Sequence, residues 1–135
     1  MIAVDTNVIG YLFLTGEKSA LAELAFRRDP AWAAPLLWRS EMRNVLAHYL
    51  RKNLLSLPDG QQIMSAAASL MHGREYEVTS AHVLELVAAS ACSAYDCEFV
   101  ALARDLNVPL VTADREILKN FAGTAISLEA FLGSS

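Results

Sequence analysis

Two short apolar runs constrain this chain most, because an aspartate follows each of them closely. Ile2–Val4 leads directly into Asp5, and Leu110–Thr112 ends two residues before Asp114. A continuous apolar run without polar alternation is typical of a strand buried on both faces of a parallel sheet. Ligands of open parallel sheets bind beyond the carboxyl ends of the strands. We therefore expect both aspartates at the functional edge of a parallel sheet.

The remaining sequence alternates short apolar runs with longer helical patterns, which predicts an α/β domain. Further strands are expected at Trp32–Ala34, Glu77–Thr79 and Ala125–Ile126, the last at the sheet edge. Helices are predicted from Glu17 to Arg28, from Pro35 to about Lys52, from Pro58 to about Met71, from Ala81 to about Ala91 after an N-cap at Ser80, from an N-cap at Ser93 to near Leu106, and from Leu128 to Leu132. Residues 1–135 are thus expected to form one domain, with four to five mainly parallel strands flanked by helices.

Composition favours an ordinary globular protein, since 54% of the 135 residues are hydrophobic and 19% are charged. The net charge of −4 argues weakly against nucleic-acid binding. Cys92 and Cys97 fit neither a zinc motif nor a C-x-x-C pair, so we expect reduced thiols in a cytoplasmic protein. No run of 18 apolar residues predicts a membrane span, and Asp5 interrupts any secretory signal.

Four acidic residues each have an ordinary structural explanation when taken alone. Asp5 and Asp114 could cap the helices that follow their strands. Glu41 borders the apolar stripe of its helix, and Asp96 stands three residues after Ser93 in a capping-box pattern. If the four converge, however, their carboxylates repel one another, and a hard divalent cation relieves that repulsion. Oxygen ligands without a Cys or His cluster suit Mg²⁺ or Mn²⁺, and such a site fits phosphodiester hydrolysis.

The stretches around these acids resemble PIN-domain nucleases, and specifically the VapC toxins of bacterial and archaeal toxin–antitoxin pairs. They occur in family order and at family-like spacing, at Ile2–Val8, Leu37–Leu46, Ala94–Ala103 and Leu110–Asp114. A single fragment such as Asp-Thr-Asn is a weak signal, whereas the four together are quite specific. The resemblance covers essentially the whole chain.

The resemblance implies specific roles for the residues of these stretches. The catalytic residues and metal ligands would be Asp5, Glu41, Asp96 and Asp114, and their polar supports would be Thr6, Asn7, Thr112 and Glu116. It also implies a three-layer α/β/α fold, Mg²⁺- or Mn²⁺-dependent cleavage of RNA, a homodimer and inhibition by a small antitoxin protein. The choice of RNA over DNA, and of a toxin over a housekeeping nuclease, comes from the resemblance alone.

Several basic and apolar side chains are candidates for contacts with partners. Phosphate contacts are predicted for Arg39, Arg43 and Arg115. Dimerisation is compatible with a leucine cluster at the connection between two helices, formed by Leu50, Leu54, Leu55 and Leu57. Such a cluster would be an unusually large apolar patch if it were exposed on a monomer.

Other functions fit the sequence less well. A haloacid-dehalogenase-like phosphatase requires a second aspartate two residues after the nucleophile, where this chain has Asn7. A receiver domain requires an acceptor aspartate after the third strand, where this chain has Thr79. The scattered His48, His72 and His82 do not suggest metal ligation. A non-catalytic binding module on the same fold stays an alternative, although the complete acidic quartet disfavours it.

Overall fold

The chain folds around a five-stranded sheet in which every neighbouring pair of strands is parallel. A computed structural model describes residues 1–133, and the strand order is β3-β2-β1-β4-β5. The strands are β1 (Ile2–Val4), β2 (Trp32–Pro35), β3 (Glu75–Tyr76), β4 (Leu110–Val111) and β5 (Ala125–Ile126). β1 lies at the centre, with Ile2 opposite Trp32 on one side and Val4 opposite Val111 on the other. The predicted buried central strand is confirmed.

Eight helices within residues 1–133 connect and cover these strands. They are α1 (Thr6–Phe13), α2 (Ser19–Arg28), α3 (Leu37–Arg51), α4 (Leu57–Met71), α5 (Ser80–Ala88), α6 (Ala94–Leu106), α7 (Arg115–Asn120) and α8 (Leu128–Gly133). α1 contacts α2, α3 and α4, whereas α5 packs against α6, which in turn lies on β1, β2 and β4. This arrangement is the predicted three-layer α/β/α architecture.

The strand order reverses between β1 and β4, and this reversal determines where a ligand can bind. The chain moves outward from β1 through β2 to β3, and then returns to place β4 on the other side of β1. At such a switch point the connections leaving two adjacent strands diverge, which opens a crevice beyond their carboxyl ends. Asp5 follows β1 and Asp114 follows β4, so both aspartates lie at this crevice.

The core fills both faces of the sheet with apolar side chains. α6 contributes a continuous buried segment, Phe99–Ala103, against the central strands. α3 presents Trp38, Met42 and Leu46 to the core, as its stripe predicts. Val45 and Tyr49, on the same stripe, are only partly buried.

Several predicted boundaries are wrong, and backbone pairing explains the differences. β3 lies at Glu75–Tyr76, before the predicted Glu77–Thr79, because the N–H groups of Ala34 and Leu36 donate to the carbonyls of Arg74 and Tyr76. Pro35 ends β2 instead of opening a helix, since it pairs with Tyr76. Thr79 is the N-cap of α5, so Ser80 is its first residue.

Two short helices, α1 and α7, are missing from the sequence-based prediction. α1 begins two residues after β1 ends, and α7 begins four residues after β4 ends. The aspartate that precedes each helix accepts a backbone hydrogen bond from it. Each aspartate therefore caps one of the missed helices. The sequence did not predict these helices because their apolar pattern is too short to show a helical period.

Three further features of the sequence can be located in the structure: the two cysteines, the apolar segments and the leucine cluster. Cys92 and Cys97 are free and buried. No helix among residues 1–133 is long and apolar enough to cross a membrane. Of the predicted leucine patch, Leu54 is 63% and Leu57 is 59% exposed. Leu50 and Leu55 are partly buried, and Leu50 packs beside Gly60.

Two fully buried tryptophans offer a test of this packing. Trp38 Nε1 donates a 2.7 Å hydrogen bond to Glu75, whereas Trp32 Nε1 has no partner among residues 1–133. Trp38→Phe should therefore lower the free energy of unfolding by about 1.5 to 3 kcal/mol more than the matched Trp32→Phe, because only the first removes a hydrogen bond to a charged group. Urea denaturation of both variants measures the difference. Equal losses would contradict the assignment of that bond.

Candidate metal site and nuclease centre

Asp5 is the most deeply buried acid of the site, with 7% of its surface exposed. One carboxylate oxygen, Oδ1, accepts a 2.8 Å hydrogen bond from the backbone N–H of Thr6. The other, Oδ2, accepts a 2.7 Å bond from the hydroxyl of Thr112, and Asn7 Nδ2 lies 3.5 Å from the same oxygen. The residue after β1 is thereby fixed to the residue after β4.

Asp114 is positioned through the same threonine. Its backbone N–H donates to Thr112 Oγ1 at 3.0 Å, and its carboxylate Oδ1 accepts from the N–H of Ile117 at 3.0 Å as the N-cap of α7. The Ala113 N–H also donates to Asn7 Oδ1 at 3.4 Å. Asn7 and Thr112 thus connect the loops that leave β1 and β4.

Glu41 and Asp96 approach from helices on different sides of the sheet. Glu41, partly buried on α3, accepts a 2.7 Å hydrogen bond from the hydroxyl of Thr6. Asp96 is partly buried in the first turn of α6, where its backbone N–H donates to Ser93 Oγ at 3.1 Å. The predicted capping box at Ser93 is real, and the Asp96 carboxylate also acts on the other acids of the site.

The raised pKa values of Asp5, Glu41 and Asp96 indicate that the carboxylates of the site act on one another. Burial raises the pKa of Asp5 to about 6, and the charges of Glu41 and Asp96 add to that increase. The pKa of Glu41 is raised by burial and then by the charge of Asp96. The pKa of Asp96 is raised by burial and then by the charge of Asp114. Each acid therefore faces at least one other, as charge repulsion among neighbours requires.

The donor chemistry of this cluster fits a hard divalent cation. The candidate ligands are carboxylate oxygens supported by hydroxyl and amide groups, which suit Mg²⁺ or Mn²⁺. Within residues 1–133, no three acidic, histidine or cysteine side chains are already arranged as a metal-binding group. A cation would therefore have to draw the carboxylates together, and neutralising their repulsion would favour that movement.

A fifth acid, Glu98, belongs to the same environment and was not predicted from the sequence. It lies one residue beyond Cys97 on α6, burial raises its pKa, and its charge contributes to the raised pKa of Glu41. Its spacing of two residues from Asp96 gave no signal, because residues two apart on a helix do not share a face.

The remaining predicted site residues lie at the periphery. Glu116 is exposed in the first turn of α7 and contacts Asn120. Arg39 forms a two-pronged ion pair with Glu75, with distances of 2.5 and 2.6 Å. Arg43 and Arg115 are exposed and form no ion pair within residues 1–133. Phosphate contact by these three arginines stays a prediction, and Arg39 would first have to leave Glu75.

Comparison with known families identifies the fold. The sequence model of the PIN domain matches residues 2–123, which includes all four acids. The chain belongs to the PIN domain family. PIN domains are nuclease domains, and the match covers most of this chain. No curated protein sequence is significantly similar to it.

Solved structures show the same fold in this PIN domain's distant relatives. PAE2754 from Pyrobaculum aerophilum is 22% identical, with a TM-score of 0.77 over 98% of this chain and 93% of that one. A protein in a toxin–antitoxin complex from Klebsiella pneumoniae is 19% identical, with a TM-score of 0.70 over 95% and 98%. A chain of FitAcB from Neisseria gonorrhoeae is 18% identical, with a TM-score of 0.71 over 94% and 96%. These similarities establish the architecture.

The buried carboxylate makes the stability of the metal-free protein depend on pH. The pKa of Asp5 rises from 3.8 to about 6 on folding, so the folded chain binds more protons than the unfolded chain between these values. Its stability should fall as pH rises through that window, by up to roughly 3 kcal/mol from this group.

Asp5→Asn removes this charge and should therefore melt higher than wild type at pH 8 in EDTA. The advantage should shrink toward pH 4, where Asp5 is protonated. Thermal melts across that range measure it, with Glu23→Gln as an exposed acidic control on α2. A melting difference that is the same at both pH values would contradict the burial of a charged Asp5.

Proposed function

We propose that this protein is a divalent-metal-dependent endoribonuclease that hydrolyses RNA phosphodiester bonds. The observation that carries the proposal is the coupling of four carboxylates at the switch point of a PIN fold, with the pKa of Asp5 raised to about 6. A purely structural cap at Asp5 would not explain why the charges of both Glu41 and Asp96 act on it, or why the charge of Asp114 acts on Asp96. A site that binds Mg²⁺ or Mn²⁺ gives the cluster a chemical use.

The ligands in this proposal are Asp5, Glu41, Asp96 and Asp114. A divalent cation, when bound, would stabilise negative charge on the phosphodiester. It would also lower the pKa of a water molecule, so that hydroxide is available to attack the phosphorus. Thr112 holds one Asp5 oxygen, and Thr6 orients Glu41 through its hydroxyl. The N-cap bond to Ile117 uses only Oδ1 of Asp114, which leaves Oδ2 for a ligand.

The biological role we propose is the toxin of a toxin–antitoxin pair, acting in the cytoplasm as a single domain of residues 1–135. One of the similar structures is a toxin–antitoxin complex from Klebsiella pneumoniae. An antitoxin would lay an apolar segment near the acids and insert an Arg or Lys among them. Inhibition should then weaken as Mg²⁺ or Mn²⁺ rises, because metal and side-chain cation compete for the same charge.

Removing one carboxylate should abolish RNA cleavage and leave the fold intact. Asp5→Asn and Asp96→Asn are each expected to lower the cleavage rate by roughly 10³-fold or more, since each removes part of the charge that holds the metal. Cleavage of a labelled single-stranded RNA with Mg²⁺ or Mn²⁺, compared with EDTA, measures this. Glu23→Gln is the matched control and should cleave normally.

The histidines provide a second control on the mechanism. Replacing His48, His72 or His82 singly should change the rate by less than about tenfold, because none acts as general base. A loss near 10³-fold would place that histidine in the range of acid–base catalysis. Full activity of Asp5→Asn would contradict the proposed site altogether.

We also propose a homodimer that uses the exposed leucines at the α3–α4 connection. Sedimentation equilibrium at tens of micromolar should give twice the chain mass. The double variant Leu54→Arg/Leu57→Arg should sediment as a monomer, because charge in an apolar interface is poorly solvated. Leu24→Arg, a substitution at a 48% exposed leucine of α2, is the control and should stay dimeric. A monomeric wild type would remove this proposal.

A further inference from the structure

A groove lies beside the acidic cluster, between α1, the α1–α2 connection and α3. It has a volume of about 400 Å³, and we call it the tyrosine groove. The lining residues that matter here are Thr6, Asn7, Gly10, Tyr11, Val45 and Tyr49. Small-molecule sites commonly have this size and this mixture of apolar walls with a few polar groups.

The groove and the acidic cluster share two residues. Thr6 donates its hydroxyl to Glu41, and Asn7 contacts both Asp5 and the backbone of Ala113. The same two residues line the groove. A molecule in the groove would therefore lie directly next to a phosphodiester at the carboxylates.

We propose that the tyrosine groove binds one unpaired nucleotide of the RNA, adjacent to the bond that is cut. This inference rests on the proposed nuclease function. The acids repel the phosphate backbone, and the chain carries a net charge of −4, so binding cannot depend on general attraction to phosphates. Stacking of bases on aromatic side chains does not require a basic surface.

The two tyrosines have the features that stacking and edge recognition require. Both are partly buried, which fixes the rings in the wall of the groove. Neither hydroxyl forms a hydrogen bond with another residue between 1 and 133, so each is free to bond with a base or ribose. Lys18 also lines the groove, with Nζ 5.7 Å from the centre of the Tyr11 ring, and is the nearest cation for a neighbouring phosphate.

Gly10 keeps the groove open. It lies within α1, and a Cβ built at this position meets no atom within 4 Å. A methyl group at this position would therefore meet no clash, and a longer side chain would start from the lining of the groove. Because glycine is a poor residue inside a helix, replacing it should not weaken the fold. The groove can thus be filled without touching an acidic residue.

The test compares Gly10→Leu, which fills the groove, with Gly10→Ala, which gains helix propensity but occupies little of the volume. The probe is a fluorescent single-stranded RNA of seven nucleotides, together with derivatives that lack one base at each position. Binding is measured by fluorescence anisotropy in EDTA, where no cleavage occurs. Wild type should lose about tenfold in affinity when one particular base is missing.

Gly10→Leu should bind the intact RNA about tenfold more weakly than wild type and should no longer respond to the missing base. Gly10→Ala should weaken binding less than Gly10→Leu does, because a methyl group fills less of the groove. Tyr49→Leu, which keeps most of the volume and removes the aromatic face, should reproduce the loss even if Gly10→Leu folds poorly.

Three results would overturn the proposal. In the first, both Gly10→Leu and Tyr49→Leu bind and cleave RNA like wild type. In the second, no single base affects wild-type binding. In the third, the variants lose only inhibition by an antitoxin, which would assign the groove to a protein segment. None of these three results affects the nuclease proposal, provided that wild type cleaves RNA with metal and Asp5→Asn does not. If wild type does not cleave RNA with metal, the nuclease proposal itself is wrong.

Discussion

The hydrogen bond between the Thr112 hydroxyl and the Asp5 carboxylate is the interaction on which the site depends. It joins the ends of β1 and β4 at 2.7 Å, at the point where the strand order reverses. The pairing of Val4 with Val111 brings the two residues together, and the Asp5 N–H continues the ladder by donating to the Val111 carbonyl. The sheet register therefore fixes one buried carboxylate, and the other acids are arranged around it.

Placing several acids around a buried carboxylate creates a conflict that the protein alone does not resolve. Hydrogen bonds from Thr112 and Thr6 lower the pKa of Asp5, but burial outweighs them and leaves it near 6. A cation would remove this conflict, which is why we connect the cluster to metal-dependent chemistry. The same negative charge discourages RNA from approaching, and the tyrosine groove offers an attraction that does not depend on charge. Catalysis would then depend on charge at the carboxylates, and substrate binding on stacking in the adjacent tyrosine groove.

The sequence predicted most of the architecture, because strands and helices with clear apolar patterns fix the topology. The role of the four acids as metal ligands stays a prediction. The sequence did not predict α1 and α7, whose segments are too short for a helical period, or the position of β3, which depends on pairing with β2. Glu98 was missed because it approaches Glu41 only through packing in the folded chain. The engagement of Arg39 by Glu75 across 36 residues was equally invisible. Local patterns found the residues, whereas long-range packing decides which partners they have.

The central claim is that the carboxylates act as one metal site, and counting bound Mn²⁺ tests it most directly. Electron paramagnetic resonance of free Mn²⁺ at pH 7.5 gives a binding isotherm for wild type, Asp96→Asn and the exposed-acid variant Glu23→Gln. Wild type and Glu23→Gln should bind Mn²⁺ saturably, and Asp96→Asn should bind it at least tenfold more weakly, because removing one ligand charge from a metal site costs several kcal/mol. Equal isotherms for all three, or no saturable binding by wild type, would contradict it.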